Sequence, residues 1–378
     1  MFEKNVNIPI INDFIPLASP DIRSEDIENV ITVLQSGNLV QGKKVDQLEK
    51  AIAEYLHVDH CIAMNSGTST LQLILLALGV GSGDEVIVPA FSYVATANVV
   101  ENVGAKPIFV DIDVETFNIN VQAVEESIGS RTKAIIPVHE FGLMVDTTPL
   151  MDLSEKHNLF VVEDAACALG AKDESQFAGT VGIAGSFSFH PRKAITSGEG
   201  GVVVTNEELL ASKLRALRNH GIDSENTSRM DFIMAGYNCR MTDFQAAMLI
   251  SQLNRSTEAL KKRNHIASRY FEEIRNEKIQ LPFIPKNKTP NWQTFHVMLR
   301  EPLVQKEVIE RLRKDGIGTN YGAQCIPEQS YYKNKYGYNC RIDFPNALRA
   351  YETGLALPIY EKLTDQEVTV IIENVNRL

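Results

Sequence analysis

Helical spacing is the first pattern along the chain. From Ser24, apolar residues recur at Ile27, Val30, Ile31 and Leu34, the i, i+3, i+4, i+7 positions of one helix face. Ser24 is placed to cap this helix, Glu25 and Asp26 fall in its first turn, and Gly37 marks its end. A second amphipathic helix carries Val45, Leu48, Ile52 and Leu56. Thereafter β-branched runs predict strands over 61–64, 85–88, 107–110, 134–138, 160–163, 185–189 and 201–205. Helical patterns lie between several of them, over 68–78, 94–103, 121–127 and 147–156. Strands separated by helices require right-handed crossovers. The expected fold is therefore α/β, a mostly parallel mixed sheet with helices on both faces.

Around Asn254 the pattern changes to one long charged helix running to about Gln280, followed by a proline-rich stretch over 281–290. A strand over 294–299, a helix over 306–314 and a last helix from Thr364 complete the chain. This divides the protein into a large unit, 1–254 with an N-terminal arm, and a smaller α+β unit, 255–378.

Charge narrows the function classes. The 378 residues carry 37 Lys and Arg against 48 Asp and Glu, a net charge of −11. Nucleic acids and anionic membranes need a basic face, so neither is an expected partner. Five scattered cysteines without a Cys-x-x-Cys pair fit neither a disulfide framework nor a zinc ribbon, and no metal site is expected. The start, Met1 to Phe14, lacks the pattern of a signal peptide, and the apolar run 71–80 stops at Gly81. A cytoplasmic location is expected.

Three stretches carry candidate chemistry. Asn65-Ser66-Gly67-Thr68-Ser69-Thr70 opens an apolar helix with hydroxyls and free N–H groups, which suits an anion. Alone, it reads more readily as a plain capped helix start. Phe160-Val161-Val162-Glu163-Asp164 ends a strand on two carboxylates, and ligands of open α/β sheets bind at such strand ends. The most specific stretch is Ser186-Phe187-Ser188-Phe189-His190-Pro191-Arg192-Lys193, followed by Gly198-Glu199-Gly200-Gly201. It sets Lys193 in a restricted turn beside a cation, where a lowered pKa would make a nucleophilic amine. A phosphate cradle, an acid for a pyridinium nitrogen and a Schiff-base amine are together what pyridoxal 5′-phosphate (PLP) requires.

With these motifs the chain closely resembles the sugar aminotransferases of the DegT/DnrJ/EryC1/StrS family, fold type I enzymes dependent on PLP. The likeness runs nearly end to end. It includes Asp84-Glu85-Val86-Ile87-Val88-Pro89, Pro137-Val138-His139, the Lys193 block, Gly236-Tyr237-Asn238-Cys239-Arg240-Met241-Thr242-Asp243 and Leu357-Pro358. The resemblance implies that Lys193 is the Schiff-base lysine and Asp164 the pyridine partner. It implies phosphate contacts from Gly67, Thr68, Ser69 and Ser188, a stacking role for Tyr93, and a cofactor contact at Cys167. Asn238 would complete the phosphate site of a neighbouring subunit in a homodimer, and His190 and Arg240 would contact substrate. The implied reaction moves an amino group from an amino acid, L-glutamate, to a nucleotide-linked 4-keto-6-deoxy sugar.

Three departures stand out. Cys167 replaces a usual Gln or His, Glu140 follows His139 where an apolar residue is common, and Glu328 occupies a segment that often reads Pro-Leu-His. Glu140 and Glu328 stand where acceptor contacts are expected, so a free keto-sugar or sugar acid is the alternative acceptor. A sugar dehydratase of this family would lack Lys193, and a non-catalytic regulator would need a lost lysine or a DNA-binding module. The cluster Gly79-Val80-Gly81-Ser82-Gly83 leads into a strand instead of opening a helix, so it is no dinucleotide loop.

Overall fold

The computed structural model describes residues 14–223 and 229–378. Its central sheet has seven strands: β1 (His60–Met64), β2 (Glu85–Pro89), β3 (Lys106–Val110), β4 (Thr132–Ile135), β5 (Phe160–Asp164), β6 (Ala184–Ser188) and β7 (Gly201–Thr205). Their spatial order is β1-β7-β6-β5-β4-β2-β3. From β3 through β2, β4 and β5 to β6 the pairs are parallel, joined by helical crossovers except between β5 and β6. β7 runs antiparallel to both β6 and β1. The segment between β6 and β7 contains no helix to carry a crossover, so the chain turns back at the carboxyl end of β6. That return places Lys193 beside the end of β5. The expected α/β fold is what the chain adopts.

Some boundaries shift. β4 ends at Ile135, short of Pro137, which has no N–H for a ladder. The glycine cluster at 79–83 is a turn, in which the Gly81 N–H donates to Asp84 at 2.9 Å. The charged stretch after Asn254 is not one helix to Gln280. Two helices, Asp243–Asn254 and Ser256–Glu273, meet at Arg255.

The first helix, α1 (Ser24–Ser36), forms as expected but presents an unexpected face. Ser24 is its first helical residue, not its cap; the Asp26 carboxylate instead accepts from the Arg23 N–H at 2.8 Å. Asp26 and Val33 are buried, while Ile27, Ile31 and Leu34 are 52%, 44% and 52% exposed. The cause is the Asp26 carboxylate, which is held by Arg255 and Ser251 and turns its own face inward. The second helix, α2 (Lys43–Leu56), is fixed by Asp243, whose Oδ1 accepts from the N–H groups of Gly42 at 2.8 Å and Val45 at 3.0 Å.

Toward the C-terminus, strands Ile279–Gln280, Phe295–Leu299 and Gly354–Leu357 form an antiparallel sheet. Tyr270, Phe295, Leu357 and Ile371 share its core. Residues 323–350 pack elsewhere: Cys325, Ile326, Tyr332 and Phe344 join Phe91 and Phe109 in the core of the large sheet. Among the described residues, no helix is long and apolar enough to cross a membrane, and no group of His, Cys, Asp or Glu is gathered for a metal ion.

Candidate active site

A cavity of about 450 Å³ lies at the carboxyl ends of the parallel strands. Glu163 and Asp164 end β5 together, but successive strand residues point to opposite faces. Asp164 reaches the cavity wall. Its Oδ2 accepts from the Thr96 hydroxyl at 2.9 Å, and its Oδ1 from the Ala166 N–H at 3.2 Å. Burial pushes the Asp164 carboxyl up, against those bonds and the charge of Lys193, and it ends above its ordinary value.

Glu163 turns the other way and is fully buried. It accepts from the N–H groups of Gly179, Val181 and Gly182 at 2.9, 2.7 and 2.7 Å, and from His139 Nε2 at 2.8 Å. His139 Nδ1 accepts from the Val145 N–H, which leaves the ring proton on Nε2. Burial raises the Glu163 carboxyl, but these bonds outweigh it and hold it below the usual carboxylate range. Glu163 thus braces the strand end that presents Asp164.

Lys193 follows the proline turn after β6, its N–H bonded to the His190 carbonyl at 2.8 Å. Its Nζ lies 3.0 Å from Cys167 Sγ. Sequence context suggested a lowered pKa; the structure corrects this. Burial pushes the ammonium down, but Cys167, Asp164 and Glu140 outweigh it and Lys193 ends above its ordinary value. The Arg192 carbonyl accepts from the Gln293 side chain at 3.0 Å. His190 lines the cavity beside Lys193, lowered by burial.

The helix α3 (Gly67–Ala77) starts at the same strand ends. Ser66 caps it, accepting from the Ser69 N–H at 3.1 Å. Gly67, Thr68 and Ser188 line the cavity. Gly67 is packed against β6 so closely that an added Cβ would meet Ser188 Cβ at 2.8 Å. Gly67→Ala is expected to push the helix start off β6 and weaken cofactor binding by about tenfold to a hundredfold. Fluorescence titration of the apoenzyme measures it, and unchanged affinity would contradict the close-approach argument.

Tyr93, Cys167 and Glu140 also line the cavity, Tyr93 at its open edge and 65% exposed. Four expected contacts lie outside it. Ser69 is turned to Ser66, at 2.9 Å. Arg240 donates to Asn219 Oδ1 at 2.6 Å, and Asn238 is exposed on the surface. Glu328 is paired with Lys333 five residues on, because its short 3-10 turn, Ile326–Glu328, directs it to α-helix Ser330–Tyr336. Gln324 lines the cavity instead. Thr96, Ser92 and Gln324 carry no signature in the sequence; folding alone brings them to the site.

The model of the DegT/DnrJ/EryC1/StrS aminotransferase family matches residues 20–376. The chain belongs to this family. It is 36% identical to the spore coat polysaccharide biosynthesis protein SpsC of Bacillus subtilis, over 96% of this chain and 97% of that one. It is 35% identical to the GDP-perosamine synthase of Caulobacter vibrioides, over 95% and 96% of the two chains. The sugar aminotransferase Spr1654 of Streptococcus pneumoniae, described as putative and solved in a PMP-form, superposes with TM-score 0.90 at 31% identity, over 96% and 97% of the chains. A PLP-form of the same protein superposes equally well. The protein is an enzyme, a PLP-dependent sugar aminotransferase.

The residues present fit the cofactor. A buried carboxyl, an amine within the same cavity and a helix start pressed against Ser188 offer partners for a ring nitrogen, an aldehyde and a phosphate.

Proposed function

We propose that this enzyme moves the amino group of L-glutamate to a nucleotide-linked 4-keto-6-deoxy sugar, for surface polysaccharide or secondary-metabolite synthesis. The observation that carries the reading is the meeting of Asp164 and Lys193 in one cavity, 29 residues apart in sequence. The likeness to a spore coat polysaccharide biosynthesis protein and to a GDP-perosamine synthase supports the product class.

Bound PLP supplies an aldehyde that condenses with amines and a ring that draws electrons from the adjoining carbon. Asp164 keeps a proton on the ring nitrogen, and Thr96 and the Ala166 N–H hold its two oxygens in place. The phosphate is received by Gly67, Thr68 and Ser188, with Ser69 supporting the helix start through Ser66. Tyr93 covers the ring. Lys193 Nζ, the amine in the cavity, would hold the cofactor when no substrate is present. Freed from that role by the donor amine, Nζ is the base that would accept the proton from the donor's α-carbon and pass it on. Cys167 keeps that amine close in both halves of the cycle.

His190 and Arg240 serve the substrate in this reading. Asn238, exposed and outside its own cavity, completes the phosphate site of a second subunit in a homodimer. The enzyme works in the cytoplasm, and its large unit ends near residue 254. Glu140, a buried acid in the cavity wall, favours one second reading, in which the acceptor is a free keto-sugar or sugar acid.

The test is amine transfer from glutamate across nucleotide-linked and free keto-sugars. The proposal expects nucleotide-linked 4-keto-6-deoxy sugars to be used best. Preference for free sugars would establish the second reading, and a colourless protein that PLP cannot reconstitute would sink both.

A further inference from the structure

Residues 291–294 lie outside every motif described above, yet they tie the site together. They lead into strand Phe295–Leu299, and their polar groups reach separate loops around the cavity. The Asn291 N–H donates to the Gly142 carbonyl at 3.1 Å. Its side-chain Nδ2 donates to the carbonyls of Cys167 at 2.9 Å and Leu169 at 3.0 Å. Gln293 Nε2 donates to the Arg192 carbonyl at 3.0 Å. The Thr294 hydroxyl donates to Gln293 Oε1 at 2.8 Å, which leaves Nε2 as the end of the amide that faces Arg192.

The backbone of this segment is held in place. Trp292, between the two amides, has φ +54°, in the left-handed region that a bulky residue rarely enters. Such a conformation persists only where the surroundings impose it. Here Asn291 Oδ1 accepts from the Gln293 N–H at 3.0 Å across the bend, and the Trp292 carbonyl accepts from Arg263 at 2.9 Å. Gly142 packs tightly on the other side, where an added Cβ would overlap Asn291 Oδ1.

These tethers converge on the contact between Lys193 Nζ and Cys167 Sγ, 3.0 Å apart. Asn291 holds the backbone of the cysteine, and Gln293 holds the backbone immediately before the lysine. Within its own turn Lys193 bonds back to His190, so Gln293 adds a hold from outside the turn.

We propose that Gln293 is a positioning residue for Lys193: with Asn291 it clamps both sides of the Nζ–Sγ contact and keeps the amine aimed into the cavity. This rests on the reading of Lys193 as the amine that takes the cofactor. Misplacing a reacting group by about 1 Å costs on the order of a hundredfold, so losing one tether is expected to cost about tenfold.

Two ligands of the apoenzyme separate the aim of the lysine from the integrity of the cavity. PLP must meet the amine, whereas pyridoxine 5′-phosphate carries an alcohol in place of the aldehyde and needs only the rest of the cavity. Gln293→Leu is expected to slow capture of PLP about tenfold, while pyridoxine 5′-phosphate binds within about twofold of wild type. Capture is read from the colour of the bound cofactor and from its fixation by borohydride. Gln293→His, which returns an N–H at similar reach, should recover capture to within about threefold. Wild-type capture in Gln293→Leu, an equal loss for both ligands, or no recovery in Gln293→His would overturn the clamp. Should Gln293→Leu not fold, Gln293→Glu, which keeps the size and loses the N–H, decides in its place. A wild-type holoenzyme that borohydride does not fix at Lys193 overturns the reading of the site itself, and the clamp with it.

Discussion

Replacing Lys193 with alanine is expected to lower amino transfer on the order of ten-thousand-fold while leaving the cofactor and its donor adduct bound. In the proposed reaction the lysine supplies both the covalent anchor and the mobile proton, and no neighbouring side chain can take over either task. Cys167 is the nearest group, 3.0 Å from Nζ, but burial raises its thiol above the ordinary value and makes it a poor base at neutral pH. Asp164 is bound by Thr96 and Ala166 and cannot swing to the reacting carbon. Borohydride should fix the cofactor on the wild type and not on Lys193→Ala. Transfer by the variant at a tenth of the wild-type rate or more would refute the assignment.

The second large effect concerns stability. Glu163→Ala strips a fully buried acceptor from three N–H groups and from the His139 ring. Removing one member of a buried charged network destabilises by about 3–5 kcal/mol. The denaturant midpoint should fall accordingly, and a loss under about 1 kcal/mol would contradict the network's role. The pH dependence has a definite sign. The folded carboxyl titrates below its ordinary value, so its contribution is complete above that value and is lost as the pH falls through the folded one. Wild-type protein should therefore lose stability in acid more steeply than Glu163→Ala.

Local grammar made part of this site legible. Asp164 ends a β-branched run, and Lys193 follows a proline in a short turn, so both could be singled out without knowing the fold. What the adjacent Glu163 would meet could not be read, because it depends on the loop that packs on the other face of β5. Thr96 is 68 residues from Asp164 and sits inside an ordinary helical pattern, so its role emerges only on folding. Glu328 shows the converse: an acid in a plausible segment was drawn away by Lys333. In α1 the period was readable and the buried face was not, because one carboxylate, Asp26, outweighed the apolar stripe. The mostly parallel sheet followed from the crossovers, whereas its strand order and the antiparallel return between β6 and β7 emerge only on folding.

The packing of residues 323–350 against the large sheet bears on how the chain must be made. Phe91 and Phe109, encoded in the first third, are covered by Tyr332, Phe344 and their neighbours from the last sixth. A nascent chain folds from its N-terminus as it emerges, yet here the first core stays open until almost all of the protein has left the ribosome. For that interval the unpaired aromatic surface is exposed to other chains. Expression yield should thus be limited by the speed of synthesis through the final segment, and slow codons there should favour aggregation over folding.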